Sequence, residues 1–124
     1  MTVESLERPV TAGANGVSDW TRDELAAYAS ELCSHCPIDM GIVRAVRILR
    51  TAGIPTYESC EGGEGHVFAE PTIKFGGTFE SGWLAVGRLL TYRLPVRRFA
   101  QCWSFPFGVP DGPHWEVTFW EKLD

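Results

Sequence analysis

Hydrophobic positions in this chain recur with two different spacings, and the switches between them mark out its elements. Leu25, Tyr28, Ala29 and Leu32 fall at i, i+3, i+4 and i+7, one face of a helix. Thr21 with Glu24 three residues on is a capping box, which predicts that this helix opens at Thr21; it ends near Cys33. A second helix starts at Pro37 or Asp39. Its apolar stripe is Ile42, Val43, Val46 and Leu49, its wet side Arg44, Arg47 and Arg50, and Gly53 stands where a left-handed cap belongs. Residues 54–60 read as a strand that the run Glu61-Gly62-Gly63-Glu64-Gly65 cannot continue. Residues 72–75 form a short strand, with Pro71 where a missing N–H is tolerated. Phe79, Trp83, Val86, Leu89 and Leu90 mark a third helix. Residues 96–105 form a third strand, followed by a turn at Pro110-Asp111-Gly112. Residues 114–120 then alternate: Trp115, Val117 and Phe119 on one side, Glu116, Thr118 and Trp120 on the other.

The order α-α-β-β-α-β-β predicts an α+β fold in two layers, an antiparallel sheet of about four strands with helices on one face. A chain of 124 residues is the size of one domain. Residues 1–17 have no period and read as a disordered lead, which leaves 18–124 as the α+β domain. Many of the five Trp, seven Phe and three Tyr follow Val67, so an aromatic core is expected towards the C-terminal half.

Charge narrows the partners. A net charge of −5 argues against a generic binder of nucleic-acid backbone, which carries a basic face. Arg88, Arg93, Arg97 and Arg98 are a local exception and read as a solvated helix end and edge strand. No apolar run nears the roughly 20 residues that span a bilayer, and the first residues lack a secretory pattern. The expectation is a cytoplasmic protein that does not use a membrane. There Cys33, Cys36, Cys60 and Cys102 are free thiols or ligands rather than two disulfides, with Cys102 in the core.

The segment with most chemistry is residues 58–66, Glu-Ser-Cys-Glu-Gly-Gly-Glu-Gly-His. Its glycines admit positive φ and close approach of a ligand to the backbone. Cys60, His66 and a carboxylate suit a metal. Cys60 as nucleophile with His66 as base suits catalysis. Exposed N–H groups suit a small polar ligand. Phosphate is disfavoured, because three glutamates repel it and the segment holds no Lys or Arg.

Cys33-Ser34-His35-Cys36-Pro37 supplies a second candidate. Cys33 and Cys36 with Cys60 and His66 make up a Cys3His zinc set. Thiols at a helix N-terminus also suit redox chemistry. This arrangement, with Pro71-Thr72 and Gly76-Gly77 later on, resembles thioredoxin-like and glutaredoxin-like domains, although those need a strand before the C-x-x-C where residues 25–32 read as helix. A third candidate is the sheet face turned from the helices. Lys74, Glu116, Thr118 and Trp120 lie there; an uncovered face with Trp and charges suits a partner or ligand surface, while a solvated sheet face is the default expectation.

Residues 53–66 (Gly-Ile-Pro-Thr-Tyr-Glu-Ser-Cys-Glu-Gly-Gly-Glu-Gly-His), 70–75 (Glu-Pro-Thr-Ile-Lys-Phe) and 112–119 (Gly-Pro-His-Trp-Glu-Val-Thr-Phe) together resemble a family of small uncharacterised bacterial and phage-associated proteins. The resemblance covers about residues 38–119 and implies no particular activity. Residues 56–62 are also similar to the Ser-Ser-Cys-Ser-Gly-Arg stretch of the wybutosine-synthesis methyltransferase family, without its Arg, and no function is carried over. The leading expectation is a binding or accessory protein. It holds a small molecule or protein partner through Glu58, Ser59, Cys60, Glu61, Gly62, Gly63 and His66, with Glu116 from the adjoining face. The alternatives are an enzyme using Cys60 and His66, a zinc-stabilised domain, and a thiol oxidoreductase using Cys33 and Cys36.

Overall fold

The computed structural model of the protein describes residues 20–32 and 38–124. The predicted lead at 1–17 and the C-x-x-C at Cys33 and Cys36 lie outside these residues. The element order is α1 (Arg22–Leu32), α2 (Val43–Thr51), β1 (Thr56–Cys60), β2 (Thr72–Phe75), α3 (Phe79–Thr91), β3 (Val96–Ser104) and β4 (Asp111–Phe119). It is the predicted α-α-β-β-α-β-β arrangement. The four strands form one antiparallel sheet in the order β1-β2-β4-β3. Among the described residues, no helix is long and apolar enough to cross a membrane.

Alternation divides the sheet into two faces. Ile73, Phe75, Trp115, Val117 and Phe119 join Val46, Leu49 and Leu89 in the main core. Opposed residues of an antiparallel pair share a face. The pairings therefore place Cys60, Thr72, Thr118 and Arg98 together on the other face, next to a row of Glu58, Lys74, Glu116 and Ala100. Cys102 is paired with His114 on that same outer face and is half-buried, not a core residue. Burial pushes its thiol pKa up, with the Glu116 charge adding to the effect.

The capping box at α1 forms in both directions. The Glu24 N–H donates to Thr21 Oγ1 at 3.1 Å, and the Thr21 N–H donates to Glu24 Oε1 at 3.3 Å. Gly53 caps α2 with a φ of 83°. The wet side expected for α2 is corrected. Arg44 is buried, and Arg47 lies over the rings of Trp20 and Tyr28 at 4.4 and 5.0 Å. Helix α1 packs along α2 through Leu25, Ala29 and Val43, and the Arg44 Nη2 donates to the Trp20 carbonyl at 3.4 Å.

Two further expectations shift. Helix α3 buries Gly82, Ala85 and Leu89, while Phe79, Trp83 and Leu90 are exposed. The aromatic residues predicted for its core side lie instead along its flank, where Phe79 and Trp83 meet in an edge contact. Gly82 explains the rotation: a Cβ there would lie 2.3 Å from the Trp115 ring, so the helix seats its smallest residue on the largest one. Pro110-Asp111-Gly112 is not the turn of the last hairpin. The chain reverses through a short 3-10 turn at Pro106–Gly108, and β4 already begins at Asp111.

Candidate functional site at the β1–β2 connection

Strand β1 ends at Cys60, and β2 begins opposite it at Thr72. The intervening loop needs left-handed backbone at Gly62 (φ 79°), Gly63 (φ 110°) and Gly65 (φ 84°), the region glycine enters without penalty. Gly62 is the tightest point. A Cβ on it would lie 2.3 Å from the Glu70 carbonyl carbon and 2.5 Å from the Pro71 nitrogen. The Gly63 N–H donates to the Ala69 carbonyl at 3.0 Å, and the His66 N–H to the Gly63 carbonyl at 3.2 Å. These bonds fold His66 back over the strand end.

Cys60 Sγ and His66 Nδ1 are 3.6 Å apart. The residue that completes the group is Asp39, in the turn before α2. Its Oδ2 lies 3.7 Å from the same His66 Nδ1. A carboxylate oxygen of Asp39, Sγ of Cys60 and a ring nitrogen of His66 all lie within 4.8 Å of one another. Two of the three are held by backbone N–H groups. The Gly62 N–H donates to Cys60 Sγ at 3.4 Å, and the Glu61 N–H donates to Asp39 Oδ2 at 3.1 Å. Cys60 is buried and stands outside the two hydrophobic clusters, with the Gly62 N–H and His66 Nδ1 against its sulfur.

Glu61 ties the cluster to two more segments. Its Oε1 accepts from the Gly41 N–H at 2.9 Å, and its Oε2 accepts from Lys122 Nζ at 3.2 Å. The same Oε2 lies 3.7 Å from His66 Nε2. The Gly41 bond is the main reason the Glu61 carboxyl is held below the usual carboxylate range, with Lys122 and His66 adding to it against a desolvation effect that opposes them. The Leu123 N–H donates to the Gly41 carbonyl at 2.8 Å, so the C-terminal segment braces the turn that carries Asp39.

The predicted site residues therefore divide. Cys60, Glu61 and His66 come together, supported by Gly62 and Gly63. Glu58 is paired with Lys74 on the outer face at 3.4 Å, and Ser59 is opposed to Ile73. Glu116 stands on β4, separated from β1 by β2. Asp39 was missed by sequence reasoning because its position, just ahead of a helical stripe, is fully explained as a helix start. The signal available was an acidic residue three positions after a C-x-x-C. The helix at Arg22–Leu32 departs from the strand that thioredoxin-like domains place before their C-x-x-C.

No protein-family model, curated protein or solved structure matches the chain.

Proposed function

We propose that the chain is a binding protein whose β1–β2 loop holds a divalent transition-metal ion of the zinc type, with Asp39, Cys60 and His66 as ligands. The convergence of three different donors on one point carries this reading. Tetrahedral zinc with a sulfur at about 2.3 Å and nitrogen or oxygen at about 2.0 Å sets S···N at about 3.6 Å and N···O at about 3.4 Å. The distances are 3.6 Å for Cys60 Sγ to His66 Nδ1 and 3.7 Å for His66 Nδ1 to Asp39 Oδ2. A single ring N–H cannot satisfy two acceptors that both face Nδ1, whereas a cation satisfies the thiolate, the carboxylate and a neutral ring together. The Gly62 N–H donates to the Cys60 sulfur. Glu61 beside Nε2 is the outer carboxylate that orients metal-bound histidines and raises their basicity.

Protein purified without chelator should carry about one zinc per chain, by elemental analysis. Cobalt(II) should give a thiolate charge-transfer band that Cys60→Ser removes and that His66→Ala and Asp39→Ala weaken. Retention of full metal by Asp39→Ala, with its loss in Cys33→Ser/Cys36→Ser, would replace Asp39 by the four-residue set Cys33, Cys36, Cys60 and His66. Absence of both metal and cobalt spectrum ends the proposal.

A second reading has one observation behind it. The order Cys60 Sγ, His66 Nδ1, His66 Nε2 and Glu61 Oε2 is that of a nucleophile, a base and the group that orients it. Burial of the thiol opposes attack on a substrate. Rapid alkylation of Cys60 in metal-free protein, lost in His66→Ala, would favour it.

A further inference from the structure

The sheet has two edges, and they are guarded unequally. Strand β1 has five residues, follows Pro55, slips in register between Thr56 and Glu58, and carries the Glu58 charge. Shortness, bulges, prolines and charges are the devices that keep an edge from pairing with another chain. Strand β3 has nine residues and no proline, and it is paired with β4 alone among the described residues. Its ladder slips between Val96 and Arg98 and again between Cys102 and Ser104. Between the two slips runs a regular stretch, residues 98–102, whose midpoint is Ala100.

Helix α3 leans over this edge. Trp83 meets the Phe99 ring of β3 at 6.4 Å, and Phe79 meets the Trp115 ring of β4 at 6.1 Å. Both keep 58% of their surface exposed, and Leu90, seven residues after Trp83 on the same flank, is exposed with them. Trp103 of β3 is half-exposed. At about 150–250 Å² for a whole aromatic side chain, these four leave roughly 400 Å² of apolar surface beside the strand. That is about half of the roughly 800 Å² each partner gives to a standard interface, and the open backbone of the edge adds to it. Charge favours the same side. The chain has 16 acidic residues, and none of them lies in residues 81–110, which hold most of α3 and all of β3.

We infer that β3 is the interface of a homodimer. It pairs antiparallel with β3 of a second copy about a two-fold axis at Ala100, and the two four-stranded sheets join into one of eight strands. A two-fold contact needs a patch complementary to itself. Slips placed symmetrically about Ala100 supply it, because the two regular stretches overlap fully only when Ala100 faces its own copy. That register sets Arg98 against the partner's Cys102 and Phe99 against the partner's Gln101, so no charge opposes its like. Arg97 is already paired with Glu70. Trp83, seated on Phe99 one residue from the axis, is brought towards the second α3, and its exposed ring is covered there. A strand from an unrelated protein would require no such symmetry.

The test is sedimentation equilibrium of the full chain. It should show a dimer by roughly 100 µM, the weak end for an interface of this size. Trp83→Glu should weaken association at least about thirtyfold, and Phe79→Glu by about tenfold, with the far-ultraviolet circular dichroism of the single chain unchanged. Leu84→Glu, about 100° round the helix from Trp83, should leave association as it is. Outward amides of residues 98–102 should exchange with deuterium more slowly above the midpoint of association than below it, while those of β1 do not change. A chain that stays monomeric to about 1 mM overturns the inference; slow exchange at residues 98–102 in such a monomer would give the edge to a segment of the same chain. A dimer that both glutamate variants form as well as wild type, or one whose residues 98–102 exchange alike at all concentrations, has its contact elsewhere and overturns the inference too.

Discussion

The two faces of the sheet are built by the same alternation and do opposite work. On the inner face, Phe75 and Phe119 are fully buried in one apolar cluster with α2 and α3. One residue away on the same strands, Lys74 and Thr118 belong to a face of charges, hydroxyls and a groove. Inner positions are set by volume and tolerate little change in it. Outer positions are set by hydrogen-bond and charge partners. A shift in register by one residue would exchange the two sets.

The largest expected effect tests the inner face. Phe75→Ala should destabilise the protein by about 3–5 kcal/mol in denaturant unfolding, since it removes a large ring from a site with no exposure. Next is the helix contact with that face. Gly82→Ala should cost about 1–3 kcal/mol, because its Cβ would drive into Trp115, itself stacked on Phe99 at 4.7 Å. Gly87→Ala, five residues on and open to solvent, should instead stabilise by roughly 0.5–1 kcal/mol. Equal signs for the two would show that α3 does not sit on the sheet through Gly82.

On the loop, Gly62→Ala should cost about 2 kcal/mol or more through left-handed backbone and collision with the Glu70–Pro71 peptide, and should abolish metal uptake. A variant that still takes up one metal per chain would contradict the tight crossing described there. The smallest effect is one of pH. The Glu61 carboxyl pKa is lowered in the folded chain, so its contribution is present above the ordinary carboxylate range and is lost as pH falls through the depressed value. Glu61→Gln should therefore flatten the acid limb of the urea midpoint against pH, below about pH 4. An unchanged acid limb would remove Glu61 as the bridge between Gly41 and Lys122.

The order of elements was legible in the sequence because periodicity and breakers act within a few residues. Thr21 with Glu24, Gly53 and the alternation from Trp115 to Phe119 each specify their neighbourhood without help. What escaped was tertiary. Arg44 lies beside an apolar stripe in sequence, and its burial, with a bond from its Nη2 to the Trp20 carbonyl, is set by residues distant in the chain. Phe79 and Trp83 resemble core residues until Gly82 turns the helix. The candidate site was legible in the same way: Cys60, Glu61 and His66 share one loop, whereas Asp39 reaches them from 21 residues before Cys60 because Glu61 and the C-terminal segment draw its turn in.

Strand β1 is one of the two edge strands of the sheet, paired on one side alone among the described residues, and its ladder slips between Thr56 and Glu58. Peripheral strands open at lower free energy than central ones. In the proposed metal site, a cation held at the tip of such a strand would leave by local peeling while β2, β4 and β3 stay zipped. Exchange of the ion should therefore keep pace with amide deuteration in β1 and run far ahead of global unfolding.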